Sequence, residues 1–539
     1  MKLLPLTLFV TTAFGAGSAF AADTDWARQC GALKNTSIYQ TRIDSAEWLA
    51  DGIIKGDSNA ALSGGRATDM QVGPHCVVRG EIEKRQGVDG QDYGIQFELR
   101  LPAAWNRKFL FQGGGGTNGV VSPALGSTPI RGSTAVPALQ RGYAVVSQDS
   151  GHQGARDTRF AADQQARLDY AYASTGKTTA AAKQLIQAFY GNVPNKSYFM
   201  GCSNGGREAM MAAQRYPLEF DGIVAGNPGF RLAYAAVGEA WDMQQLMKIA
   251  PKNADGQKIL ANALTQADLD VVSQGVLARC DAKDGIADGL VNAWESCDFK
   301  PEMVQCKTGQ KNGCISREKV GALKAIFGGA KNSRGENVYS SWPYDAGING
   351  GNWRAWKLGS SQTAQANAIN ATMGAASLRD YYMTPPAPKD FAATDFNFDT
   401  DTPKIAQIAA INNADATFLT TFKQRGGKMI IVEGVSDPVF SAHDLRDWYR
   451  RLDRDMNGAA DFARLFMIPG LTHCGGGPAL DNVDPLTALE NWTDKQTAPD
   501  FLAASGSSFP GKNQPQCAYP KYAFYVGGDK NAISSYVCR

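Results

Sequence analysis

Cys202 and Cys474 each stand beside a residue with reactive chemistry. The first lies in Gly201-Cys202-Ser203-Asn204-Gly205, and the second directly follows His473 in the loop PGLTHCGGG. A disulfide holds its two Cα atoms roughly 4.4–6.8 Å apart. If these two cysteines are bonded, segments about 270 residues apart must fold against each other, and Ser203 is brought to His473. Few chain paths satisfy that condition.

The chain has ten cysteines in 539 residues, an even number that suits a compartment where disulfides persist. Spacing suggests local bridges Cys30–Cys76, Cys280–Cys297, Cys306–Cys314 and Cys517–Cys538, which leaves Cys202 for Cys474. Spacing does not by itself fix connectivity. No C-x-x-C pair is present and there are only four histidines, which argues against zinc. The first residues, MKLLPLTLFVTTAFGAGSAFA, place one lysine before a short apolar run that ends in Ala19-Phe20-Ala21. That is the pattern of a signal peptide over residues 1–21, and it predicts export to the periplasm or beyond. No later segment offers about 20 continuous apolar residues, so no membrane partner is expected. Lys plus Arg (54) nearly balances Asp plus Glu (52), which gives no reason to expect nucleic acid.

Residues 23–75 read as an irregular lead. CVVRGEIEKR and YGIQFELRLP then alternate apolar and polar side chains, and KFLFQ (108–112) and YAVVSQ (143–148) are short apolar runs. They predict strands. A helix is expected over 175–191, a strand over KSYFMG (196–201), a helix from Gly205 to Tyr216 and a strand at GIVAG (222–226). Strands alternating with helices predict an α/β fold with a mostly parallel sheet. The pattern lapses over 230–415 and resumes with KMIIVEG (428–434) and ARLFMIP (463–469). The expected organisation is a core over 22–229 and 416–539, interrupted by an inserted lid domain over 230–415.

G-x-S-x-G between a strand and a helix is the context of a nucleophile elbow. Ser203 is therefore the expected nucleophile, and the Asn204 N–H an expected oxyanion donor. The acid and then the histidine follow the serine in such chains, which leaves His443 and His473. His473 follows an apolar strand in a glycine-containing loop, whereas His443 begins the helical pattern SAHDLRDWYRRL. His75 and His152 read as structural. Asp437, after KMIIVEG, is the expected acid, with Asp444 and Asp447 as alternatives. Gly116, in FQGGGGTNG, is the expected second oxyanion donor, because glycine lets backbone N–H groups approach closely. Asp281, Asp284 and Asp288 crowd the loop CDAKDGIADGL. Oxygen ligands of this kind suit Ca²⁺, although the spacing is not that of an EF-hand, and a solvated acidic turn is the plainer alternative.

GCSNGGRE, DGIVAGNPG, CDAKDGIADG, SDPVFSA and PGLTHCGGGP together resemble the tannase and feruloyl esterase family of α/β hydrolases, from about Cys30 to Cys538. The resemblance implies an α/β-hydrolase core with a large inserted lid. It implies a triad of Ser203, Asp437 and His473, oxyanion donors Gly116 and Asn204, the Cys202–Cys474 pair and the four local bridges. It implies structural Ca²⁺ held by Asp281, Asp284, Asp288 and the carbonyls of Ile286 and Leu290, with no organic cofactor. Substrates would be small esters of aromatic acids, feruloyl-type first. The terephthalate monoesters cleaved by the mono(2-hydroxyethyl) terephthalate hydrolase branch come second, and galloyl esters third. Trp356 and Phe440 match aromatic pocket positions of the terephthalate branch. That branch also carries a lid arginine for the free carboxylate, and ANAINATM at Ala366–Met373 lacks one. A non-catalytic binding protein on the same fold, and a serine peptidase, are the competing classes.

Overall fold

The computed structural model describes residues 25–55 and 69–539; the expected signal peptide lies outside them. Nine strands form one sheet: β1 (Thr41–Leu49), β2 (His75–Gln86), β3 (Asp92–Pro102), β4 (Lys108–Gln112), β5 (Ala144–Gln148), β6 (Lys196–Cys202), β7 (Gly222–Gly226), β8 (Lys428–Gly434) and β9 (Ala463–Ile468). Their spatial order is β1-β2-β3-β5-β4-β6-β7-β8-β9. The first three strands and the β3–β5 contact are antiparallel, and every pairing from β5 to β9 is parallel.

Parallel strands are covered on both faces, so they are mostly apolar rather than alternating. Phe109, Phe111, Phe199, Ile223 and Ile431 pack into the core on one face. Leu110, Tyr198, Met200, Val224 and Ile430 pack into the core on the other. Phe111 stacks on Phe199 with ring centroids 4.7 Å apart. Helix α1 (Ser174–Tyr190) ends at Gly191, whose φ of 71° is the left-handed cap that glycine adopts without strain. Helix α2 (Asn204–Arg215) leaves the end of β6 and stops before Pro217.

One expectation fails. Residues 23–75 are not an irregular lead over their described part, because they hold the helix Trp26–Ala32 and the nine-residue edge strand β1. The strand pairs on one side only, with β2. Only Ile43 of its nine residues is buried, so its sequence lacks the apolar signature of the inner strands.

β7 and β8 are hydrogen-bonded neighbours, yet residues 227–427 run between them without adding a strand to the sheet. This segment is helical. Its long helix α3 (Leu232–Ile249) packs against the shorter α4 (Gly351–Lys357). Lys357 Nζ donates to Asp242 Oδ2 where both side chains are 2% exposed. The ammonium also lies 4.6 Å from the Trp342 ring centroid. Removing one partner of such a buried pair strands the other charge, at a cost of about 3–5 kcal/mol, whereas an apolar replacement of both is often neutral. Lys357→Met should therefore lower the thermal midpoint markedly, and the Asp242→Leu/Lys357→Met double variant should recover most of the loss. A double variant as unstable as the single one would refute this account.

Candidate active site

The turn between β6 and α2 is strained at one residue. Ser203 has φ 62° and ψ −125°, a region that non-glycine residues occupy only when their surroundings hold them there. Two hydrogen bonds do so: Ser203 N–H donates to Gly226 O at 3.0 Å, and Gly229 N–H donates to Ser203 O at 3.1 Å. A Cβ on Gly201 would lie 2.6 Å from the Gly205 carbonyl, and a Cβ on Gly205 would overlap Gly114 O. Both glycines of the motif are therefore demanded by backbone contact. Ser203 stands at the N-terminus of α2, where the first N–H groups have no intrahelical partner and the helix dipole favours negative charge.

Asp437 follows β8, and His473 follows β9. His473 Nδ1 donates to Asp437 Oδ2 at 2.9 Å, with both side chains buried. Asn227 Nδ2 donates to the same oxygen at 2.8 Å. Asp437 Oδ1 accepts from Val439 N–H at 2.7 Å and Phe440 N–H at 3.2 Å. Four donors thus fix the carboxylate. The alternative acids are engaged elsewhere: Asp444 with Arg231 at 2.7 Å, and Asp447 with Arg446 at 2.8 Å. His443 Nδ1 pairs with Ser341 Oγ at 3.1 Å, and burial pushes its pKa down to about 4. His75 sits between Gly73 O and Arg100, and His152 stacks on Phe160.

Cys202 and Cys474 are bonded, with Cα atoms 6.1 Å apart. The pairs Cys30–Cys76, Cys280–Cys297, Cys306–Cys314 and Cys517–Cys538 are bonded too, and no cysteine is free. Arg131 fastens the histidine loop further. Its Nη2 donates to His473 O at 2.9 Å, and its backbone N–H donates to Cys474 O at 2.9 Å.

Ser203, Gly116, Asn204, Trp356 and Phe440 line one cleft, together with Glu239. Trp356 and Phe440 each stand edge-on to the His473 ring, with centroids 5.2 Å away. Gly116 has φ 58°, and its N–H makes no hydrogen bond among the described residues. Its loop is set by a residue the sequence reading passed over. Buried Glu208 on α2 accepts from Gly114 N–H at 3.0 Å, Asn118 Nδ2 at 2.6 Å and Asn204 Nδ2 at 3.2 Å. A glutamate on a buried stretch of helix was the available signal. Asn227 and Arg131 gave none, since each acts across a long sequence gap. Glu239 lies within the expected lid and looks like any helical acid in one dimension.

The acidic loop is separate from this cleft. Asp281 Oδ2 accepts from Gly289 N–H at 2.9 Å, while its Oδ1 is buried and without a partner. Asp284 accepts from Asn292 N–H and Nδ2 at 2.9 Å, and burial pushes its pKa up to about 7. Asp288 receives Lys512 Nζ at 2.6 Å. The all-oxygen donor set and the orphaned Asp281 oxygen fit a hard cation. Among the described residues, no three acidic, histidine or cysteine side chains converge as a ready metal cluster, so backbone carbonyls would have to complete the shell.

Losing the bridge between the serine and histidine loops should damage catalysis more than folding. Cys202→Ala/Cys474→Ala should lower kcat by roughly 10²-fold, the scale of an ångström-size misplacement. Cys517→Ala/Cys538→Ala should act mainly on the thermal midpoint. Equal losses of kcat in both double variants would refute this.

Among the described residues, no helix is long and apolar enough to cross a membrane. Residues 76–539 match the family described as tannase and feruloyl esterase. The mono(2-hydroxyethyl) terephthalate hydrolase of Piscinibacter sakaiensis is 40% identical over 512 residues, covering 86% of this chain and 84% of its own length. In fold, the chain is similar to feruloyl esterase B from Aspergillus oryzae (TM-score 0.79, 22% identity, covering 95% of this chain and 100% of that one). It is likewise similar to the tannin acyl hydrolase from Aspergillus niger (TM-score 0.70, 20% identity, covering 95% and 94%). The chain is a carboxylic ester hydrolase with an α/β-hydrolase fold and belongs to the tannase and feruloyl esterase family.

Proposed function

We propose that this protein is an exported serine esterase that cleaves esters of aromatic acids, feruloyl-type first. Ser203 is its nucleophile, His473 its base and Asp437 its orienting acid. The observation that carries the reading is the buried His473–Asp437 hydrogen bond, tied by the Cys202–Cys474 bridge to a strained serine turn. Five disulfides and the N-terminal sequence support export.

In this mechanism Ser203 Oγ attacks the acyl carbon while His473 Nε2 takes its proton. Asp437 holds Nδ1–H and stabilises the imidazolium. The N–H groups of Gly116 and Asn204 receive the oxyanion; one such donor contributes roughly 2.7–4 kcal/mol in known cases. His473 then protonates the departing alcohol. Water, deprotonated by the same imidazole, cleaves the acyl-enzyme and releases the acid. Trp356 and Phe440 supply the flat apolar walls that an aromatic acyl group needs. Terephthalate monoesters are the second candidate, favoured by the name of the 40% identical relative. Galloyl esters are the third.

Ser203→Ala should lower kcat on the order of 10⁶-fold while methyl ferulate binding persists in calorimetry. Turnover at the wild-type rate would place the nucleophile elsewhere. On wild-type protein, a panel of methyl ferulate, methyl gallate, mono(2-hydroxyethyl) terephthalate and an aliphatic ester should favour an aromatic ester. Exclusive cleavage of the aliphatic ester would end the aromatic reading.

We also propose that Asp281, Asp284 and Asp288, with the carbonyls of Ile286 and Leu290, hold a structural Ca²⁺. The orphaned oxygen of Asp281 supports this. Calcium at about 100 times its Kd would add roughly 2.7 kcal/mol of stability. Chelation should therefore lower the thermal midpoint, and added Ca²⁺ but not Mg²⁺ should restore it. An unchanged midpoint, with no calcium found by elemental analysis, would exclude the ion.

A further inference from the structure

One wall of the cleft carries a carboxyl group for which the ester-cleaving chemistry has no use. Glu239, on α3, is 7% exposed and lines the same cleft as Ser203, Trp356 and Phe440. Its carboxyl makes no hydrogen bond among the described residues, in contrast to Asp437 and Glu208. It presses against Gly374, where a Cβ would overlap Glu239 Oε2. Only a residue without a side chain leaves the carboxyl its place. Ser377 and Tyr382 bring hydroxyl-bearing side chains to the same cleft.

The charges around Glu239 are unevenly placed. Lys357 is the nearby cation, but it is committed to Asp242 one turn along α3 and is not part of the cleft lining. Among the described residues, the lining of the cleft includes no lysine, arginine or histidine. Burial, with the negative charges of Asp242 and Asp437 adding to it, raises the Glu239 pKa to about 8 against the opposing pull of Lys357. The group is then mostly neutral at pH 7. A neutral carboxyl both donates and accepts a hydrogen bond. A substrate carboxylate beside it would give up its water in a cleft whose lining offers no cation to pair with it.

We infer that Glu239 is the specificity residue of the acyl pocket: it hydrogen-bonds a neutral polar substituent, such as a phenolic hydroxyl, on the aromatic ring and disfavours a ring that carries a carboxylate. This rests on the proposed aromatic-ester function and sharpens it. A site built to hydrogen-bond a substrate hydroxyl discriminates against the analogue that lacks it, because its own polar group is left unpaired. Phenolic acyl groups are thereby ranked above unsubstituted ones, and terephthalate monoesters below both.

The test compares kcat/KM for methyl 4-hydroxycinnamate, methyl cinnamate and mono(2-hydroxyethyl) terephthalate. The wild type should prefer the hydroxylated ester about tenfold over the unsubstituted one, the scale of one hydrogen bond to an otherwise unpaired group. Glu239→Leu should bring that ratio close to one, and Glu239→Gln, which still donates and accepts, should keep most of it. Competitive inhibition of the wild-type enzyme by free acids needs no variant. There 4-hydroxybenzoate should bind more tightly than benzoate, and terephthalate more weakly than both. Turnover of aromatic esters without a hydroxyl preference, a preference that survives Glu239→Leu, or tighter inhibition by terephthalate would each overturn the role of Glu239 while leaving the aromatic-ester function standing. If no aromatic ester is cleaved, the function itself falls, and the role of Glu239 with it.

Discussion

The Ser203 turn can exist only if its neighbours enforce it. A non-glycine residue at φ 62° and ψ −125° carries strain on the order of 1–3 kcal/mol, and such strain persists where surrounding structure over-determines the backbone. Here the enforcement comes from three sides. β7 receives the serine N–H, the glycine loop after β4 abuts Gly205, and the bridge to Cys474 ties the turn to the loop after β9. The contacts that hold the serine in its strained geometry also fasten the His473 loop and the glycine loop beside it. Local strain and the assembly of the site therefore have one structural origin.

Much of this was readable in one dimension. β4, β7 and β8 fall where their apolar runs place them, because a strand buried on both faces is mostly apolar. The elbow was legible because backbone contact forbids side chains at Gly201 and Gly205. The edge strand β1 escaped notice because a strand with one neighbour and an exposed face carries little apolar signal. Glu208, Asn227 and Arg131 escaped for another reason. Each serves a partner 90 or more residues away, and a sequence does not show which distant polar group completes a buried hydrogen bond.

The helical segment between β7 and β8 is fastened to the sheet by polar contacts. Asp345 Oδ2 accepts from Ser436 Oγ and from Gly470 N–H, both at 2.6 Å. Those two partners precede Asp437 and His473 by one and three residues. Arg231 reaches Asp444, and Lys512 reaches Asp288. A small number of buried polar contacts thus helps set where the segment rests on the sheet, and with it the distance between Trp356 and His473.

The covalent cross-links divide along the same line. Cys280–Cys297 and Cys306–Cys314 close loops within the segment; Cys30–Cys76, Cys202–Cys474 and Cys517–Cys538 lie wholly outside it. No disulfide crosses between the two parts. The cleft lies where the two parts meet: Glu239, Trp356 and Gly374 come from the segment, and Gly116, Ser203 and Phe440 from outside it. The Ser203 and His473 loops are stitched together by sulfur, while the segment rests on them through hydrogen bonds, ion pairs and apolar packing. Substitutions in the segment can therefore reshape its side of the cleft while the bond that joins the Ser203 and His473 loops stays in place.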